Sequence, residues 1–249
     1  MRKLMFLAAL GIIGAGQLKA DSACVTSSVA TYATLASCNY GGLDFSGFND
    51  SLAASPGLAG FTTANITVTP TTGPTGDVGF VITPASPTDW TTNQSSQTLE
   101  LNFAFVVSCA NGTACIDDIY EQLVGSVQAT TIGGGTNGRD LLTETYCLGS
   151  GTLPAGSCPV GDTSGEQFLT VTPTNGTVSS NPTFSPVSTL AMNKDFEAQS
   201  FNTNTAALTS LTDEFSVVST PEPSTILLLG IGLVGLAFLY VRRRKDLLA

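Results

Sequence analysis

From Ile226 to Val241 the chain carries no charged side chain, and Arg242-Arg243-Arg244-Lys245 follows at once. Wound as a helix at ~1.5 Å per residue, that run reaches roughly 24 Å, slightly less than the ~30 Å hydrocarbon core of a bilayer. Ser224 and Thr225 can lengthen it, and arginine side chains can snorkel toward the interface. Gly230, Gly232 and Gly235 are tolerated in lipid. A buried core helix is the competing reading, but such helices rarely end in four consecutive cations. The sequence therefore predicts a transmembrane helix over 225–241 with a basic stop at 242–245. Positive charge stays cytoplasmic, which places the body before residue 221 on the far side of the membrane.

The front end agrees. Arg2 and Lys3 precede an apolar stretch from Leu4 to Ala15, then Gly16 to Ala20, the three regions of a secretory signal peptide over 1–20. Cys24 invites a lipoprotein reading, but Asp21, Ser22 and Ala23 lack the apolar residue that a lipid-attachment motif needs.

Immediately before the apolar helix stands Pro221-Glu222-Pro223. Tripeptide, helix and Arg242–Lys245 cluster together resemble the PEP-CTERM sorting signal of exopolysaccharide-associated bacterial proteins. The resemblance implies that an exosortase, a membrane cysteine protease-like enzyme, recognises the tripeptide and removes the helix. The span is then a transient anchor, and the mature protein ends near Pro221. The body also resembles the β-rich ectodomain of many such proteins. The matching residues are Cys38, then Gly42-Leu43-Asp44-Phe45-Ser46-Gly47-Phe48, then Leu190 to Phe196 and Phe215. No activity is implied by that second likeness.

Between the two ends lies a body of about 200 residues, 21–220, enough for one domain with a real core. Glu222 and Asp246 are the tail's share of the 19 acidic residues, and seven of the nine basic residues lie at the ends. The body thus holds 17 acids against Arg139 and Lys194, a net charge of −15. That surface repels phosphate backbones and excludes nucleic acid as a partner. Thr, Ser, Gly, Asn and β-branched residues fill the rest, favouring strands.

All six cysteines, Cys24, Cys38, Cys109, Cys115, Cys147 and Cys158, fall in the body. An even count in an exported chain reads as disulfides. Six allow about 15 pairings; proximity suggests Cys24–Cys38, Cys109–Cys115 and Cys147–Cys158. With no CxxC and no histidine, thiolate zinc binding is disfavoured.

Alternation marks the strands. Leu99, Leu101, Phe103, Phe105 and Val107 hold period two without a break. Leu43, Phe45 and Phe48 mark another strand with a register break near Gly47; Ile66 and Val68, then Val78, Phe80 and Ile82, mark two more. Tyr120 to Thr131 is expected to pair with the Leu99 strand across the Cys109–Cys115 loop. Segments 141–147, 168–171, 190–201 and 215–218 follow, and Val25 to Ala36 is a candidate short helix. About nine short strands punctuated by Gly and Pro predict an all-β, antiparallel β-sandwich ectodomain. Thr67 to Gly73 is echoed at Thr170 to Gly176, read as two strand ends entering the same type of turn.

Without histidine there is no Ser-His-Asp or Cys-His nucleophile, and no GxSxG is present. A glycosidase needs only two acids, and Asp117, Asp118, Glu121 and Glu144 are candidates, but nothing in their spacing selects a pair and solvated loop carboxylates are the simpler account. Gly133, Gly135 and Gly138 fit GxGxxG but lead into a strand, as a hairpin loop would. Calcium is the best cofactor candidate, through Asp117, Asp118 and Glu121 or through Asp162 to Glu166, against a plain acidic surface. Thr67 and Thr69 share one strand face, as do Thr170 and Thr172; two copies are few for an ice-binding array. Trp90 is a core anchor or a sugar platform. The expected function is non-enzymatic: an exported protein held outside the inner membrane, then released to the envelope or to extracellular polysaccharide. A carbohydrate- or calcium-binding surface module is the alternative.

Overall fold

The computed structural model describes residues 22–55, 58, 61–86, 89–92, 97–128, 138–151, 158, 163–172, 175–201 and 205–218. The predicted leader, the 221–249 tail and most of the glycine-rich loop lie outside these residues. Among the described residues, no helix is long and apolar enough to cross a membrane.

In chain order the strands are β1 (Ser27–Ser28), β2 (Ser37–Tyr40), β3 (Leu43–Ala54), β4 (Ile66–Thr72) and β5 (Val78–Pro84). Next come β6 (Thr91–Thr92), β7 (Thr98–Cys109), β8 (Ile116–Asp118), β9 (Tyr120–Val127) and β10 (Arg139–Leu148). The last are β11 (Thr163–Val171), β12 (Thr177–Ser180), β13 (Thr183–Val187), β14 (Thr189–Gln199) and β15 (Ala206–Phe215). One helical turn, α1 (Val29–Tyr32), is capped where the Ser28 hydroxyl accepts from the Thr31 amide. It is all that remains of the helix expected over 25–36: its neighbours Ser27–Ser28 pair with β4 instead.

A six-stranded sheet runs β11-β10-β14-β7-β3-β2 and a seven-stranded sheet runs β1-β4-β5-β15-β9-β12, with β6 also on β15; β8 and β13 form a small third sheet. All these named pairings are antiparallel. The two large sheets pack face to face over aromatic side chains: Phe45 of β3 lies 4.5 Å from Phe80 of β5, ring centre to ring centre. The inward row of β7 (Leu99, Leu101, Phe103, Phe105, Val107) is fully buried in that core. Period two in the sequence thus becomes one face of a central strand.

The register break expected near Gly47 is real: β3 slips against β7 between Ser46 and Asn49, and Gly47 has φ +62°. A positive φ suits glycine, and the extra residue turns Phe48 back into the core. Three disulfides join Cys24–Cys38, Cys109–Cys115 and Cys147–Cys158, the pairs that proximity favours.

Several expectations are corrected. Segment Tyr120 onward does not pair with β7; it forms β9 in the opposite sheet, beside β15 and β12. The Cys109–Cys115 loop is too tight a closure to reveal that the chain changes sheet there, and β14 matches β7 residue for residue over its whole length. The final strand ends at Phe215 rather than beginning there; its row includes Asp213, which masks the apolar pattern. The two Thr-rich echoes also differ. Pro70 lies inside β4, paired with Phe80, whereas Thr172 closes on Asn175 just after β11.

Phe105 meets the rings of Phe45, Phe48, Phe80, Phe103 and Phe215 at centroid distances between 5.5 and 6.4 Å. Phe105→Ala should therefore cost about 3–5 kcal/mol, measured as a lowered urea midpoint with an unchanged slope.

Candidate functional site

At the centre of the sandwich, inward positions that alternation reserves for apolar side chains carry charges. On β14 the inward row reads Leu190, Met192, Lys194, Phe196, Ala198. On β10 it includes Leu142 and Glu144, on β9 Glu121 and Leu123, on β15 Leu211, Asp213 and Phe215. Glu144 pairs directly with Lys194 in one sheet, and Asp213 with Glu121 in the other. Two cross-strand pairs thus face each other between the sheets.

All four side chains are 0% exposed. Lys194 Nζ donates to Glu121 Oε1 at 2.5 Å and to Glu144 Oε2, and lies 3.1 Å from Asp213 Oδ2. Gln167, opposite Glu144 on β11, donates Nε2 to Glu144 Oε1 at 3.0 Å. The ammonium also stands 5.9 Å from the Phe105 ring centre, within cation–π range. Glu144 therefore has both oxygens bonded. Asp213 accepts no hydrogen bond on either oxygen among the described residues, and Glu121 Oε2 accepts none.

Three acids around one base cannot all ionise cheaply in an apolar interior. Burial, then repulsion from Glu121, holds Glu144 well above the usual carboxylate range. Burial pushes Asp213 up to about 7, with Lys194 pulling the other way. Burial alone would lower the Lys194 pKa, but Asp213, Glu121 and Glu144 together hold it above its ordinary value.

Of the acids singled out in the sequence, Glu121 and Glu144 meet here. Asp117 and Asp118 do not: they sit on β8, where Asp118 Oδ1 accepts from the Ser216 amide at 3.0 Å. Among the described residues, the carboxylate group whose oxygens all lie within 4.8 Å is Glu121, Glu144 and Asp213. A cation would have to take the place that the Lys194 ammonium holds. Asp162 lies outside the described residues, and Glu166 is exposed on β11. Thr67 and Thr170 lie on strands of different sheets, so they build no common flat face. Trp90 is buried, edge-on to Phe61 and Phe196 at 5.7 and 5.9 Å, as a core anchor. Lys194 and Asp213 were missed in the sequence. The available signal was a charge in the apolar phase of an alternating strand.

The tail matches the PEP-CTERM protein-sorting motif over residues 219–245. The chain is thus an exported protein bearing a PEP-CTERM sorting signal, and that signal implies processing by an exosortase. No curated protein matches the chain. Among solved structures, TmCBM61 in complex with beta-1,4-galactotriose is 8% identical, covering 66% of this chain and 86% of that one at TM-score 0.30. Endoglucanase 3 from family GH12 of Trichoderma harzianum is 12% identical, covering 68% and 98% at TM-score 0.25. A family 11 carbohydrate-binding module from Clostridium thermocellum, with a beta-1,3-1,4-mixed-linked tetrasaccharide, is 10% identical, covering 70% and 91% at TM-score 0.20. Likeness this loose carries no argument about what this chain binds.

Asp140, inward on β10 and 1% exposed, accepts no hydrogen bond among the described residues and lies against Gly125, where a Cβ would collide with it. Burial pushes its pKa up to about 7. An unfolded aspartate titrates near ~4, so the folded state binds the extra proton: the stabilisation is full below ~4 and is lost as pH rises through about 7. Asp195, raised to about 6, acts in the same sense. The melting temperature should fall between pH 5 and pH 8, and Asp140→Asn should reduce that fall by a few degrees, read by calorimetry at both pH values.

Proposed function

We propose that this is a non-enzymatic component of the bacterial cell surface or exopolysaccharide matrix. The 225–241 helix holds it at the inner membrane with its body outside. It is then cut near Pro221 and released to the envelope or beyond. The sorting motif at 219–245, starting just after the last strand of the body, carries this reading.

Three features of the body support the non-enzymatic part. The ionisable group at its centre is closed to solvent, where no substrate reaches it. Trp90 is buried and offers no stacking face to a sugar. The chain has no histidine. A net charge of −15 on the body keeps it soluble and self-repelling in a polymer matrix.

Intact mass of the exported protein tests the processing. The product should end near Pro221 and lack Arg242–Lys245; a mature product that retains them overturns the reading. Glu222→Ala should leave the uncut chain in the membrane fraction. A cation has no part in this proposal, so chelation should leave the melting temperature unchanged within about 1 °C. A fall of several degrees, restored by millimolar calcium, would favour a calcium-binding module instead.

A further inference from the structure

Lys194 is the single lysine of the body, and its amine sits in a closed, apolar chamber with three carboxyl groups. Their roles differ. Glu144 and Glu121 accept hydrogen bonds from Nζ, and Glu144 is further fixed by Gln167. Asp213 approaches Nζ to 3.1 Å through Oδ2 but is outside hydrogen-bond geometry, and both its oxygens are left without a donor. A buried carboxylate without donors is costly, and a buried ion pair recovers its desolvation only with good hydrogen bonds. An amide in the same place would carry no charge.

We propose that Lys194 and Asp213 condense to an intramolecular amide, an isopeptide cross-link between β14 and β15 and hence between the two sheets. Held at this distance, amine and carboxyl form an effectively unimolecular pair. Glu144 takes a proton from the ammonium, and the neutral Nζ adds to Cγ of Asp213. Glu121, directly opposite Asp213 on β9, takes a second proton from the attached nitrogen, and the two glutamates each pass their proton on to the departing oxygen. The Cγ–N bond forms and one Cγ–O bond breaks. Two of the three ammonium protons leave on that oxygen as water. One ammonium and one carboxylate become one amide, with no oxidant, nucleotide or metal. Glu121 and Glu144 end as they began and can hydrogen-bond the new amide. Closure of the chamber keeps out water that would reverse the step.

A peptide map of the exported protein tests this, with disulfides reduced and the chain denatured. The trypsin sites of the body are Arg139 and Lys194. An acylated lysine is not a trypsin site. The fragment beginning at Asp140 should therefore run past residue 194 uncut and weigh one water less than its sequence. Tandem mass spectrometry should place the bond between Lys194 and Asp213. Asp213→Ala should restore both the cut and the full mass. Complete cleavage after Lys194 in the native protein, with no mass lost, overturns the proposal. A bond mapped to Glu121 or Glu144 overturns the choice of Asp213. The native map decides the matter even if the Asp213→Ala chain fails to fold.

Discussion

Four ionisable side chains meet between two apolar sheets, and the rest of the body is arranged so that none of them is alone. Lys194 without its acids would be an uncompensated charge beside Phe105. The acids without Lys194 would be three like charges in a dry space. Removing one member of such a set typically costs about 3–5 kcal/mol. This makes the strand register at the centre a strict requirement. A slip by one residue turns Lys194 outward and brings Asn193 or Asp195 into its place. β14 meets both of its neighbours without a bulge, whereas in the two large sheets the irregularities fall on β3 and on the Leu208–Ser210 part of β15, away from Asp213.

Much of the architecture was legible because alternation is a local signal. Leu99 to Val107 announces its strand and its inward face without help. Gly47 announces the bulge because both the break in phase and the residue type point to it. Cysteine pairing was legible for a similar reason, since each bridge closes a short stretch of chain. Strand partnership was not legible. Whether residue 120 onward returns beside β7 or crosses to the other sheet depends on contacts made far along the chain, with β15 and β12. Alternation is equally silent on two-residue strands such as β1 and β6.

The central cluster was hidden for a different reason. Glu121 and Glu144 stand out as acids, whereas Lys194 enters only through net charge and the Leu190–Phe196 stretch, and Asp213 falls in no motif. Reading charge against strand phase would have separated them: Met192-Asn193-Lys194-Asp195-Phe196 places the lysine in the apolar phase and its neighbours out of it. What joins the four residues is the stacking of two sheets, and no spacing along the chain encodes that. The terminal segments show the reverse. Their message is written in consecutive residues, so the sorting motif was readable outright while the partner of the body was not.

The place of β15 has a mechanical consequence. It is the last strand of the body, yet it lies inside its sheet, hydrogen-bonded to β5 on one side and β9 on the other. A tether that pulls from the C-terminal end therefore loads a strand in shear against two neighbours at once, rather than peeling an edge. A pull on that end is thus borne without unzipping the fold.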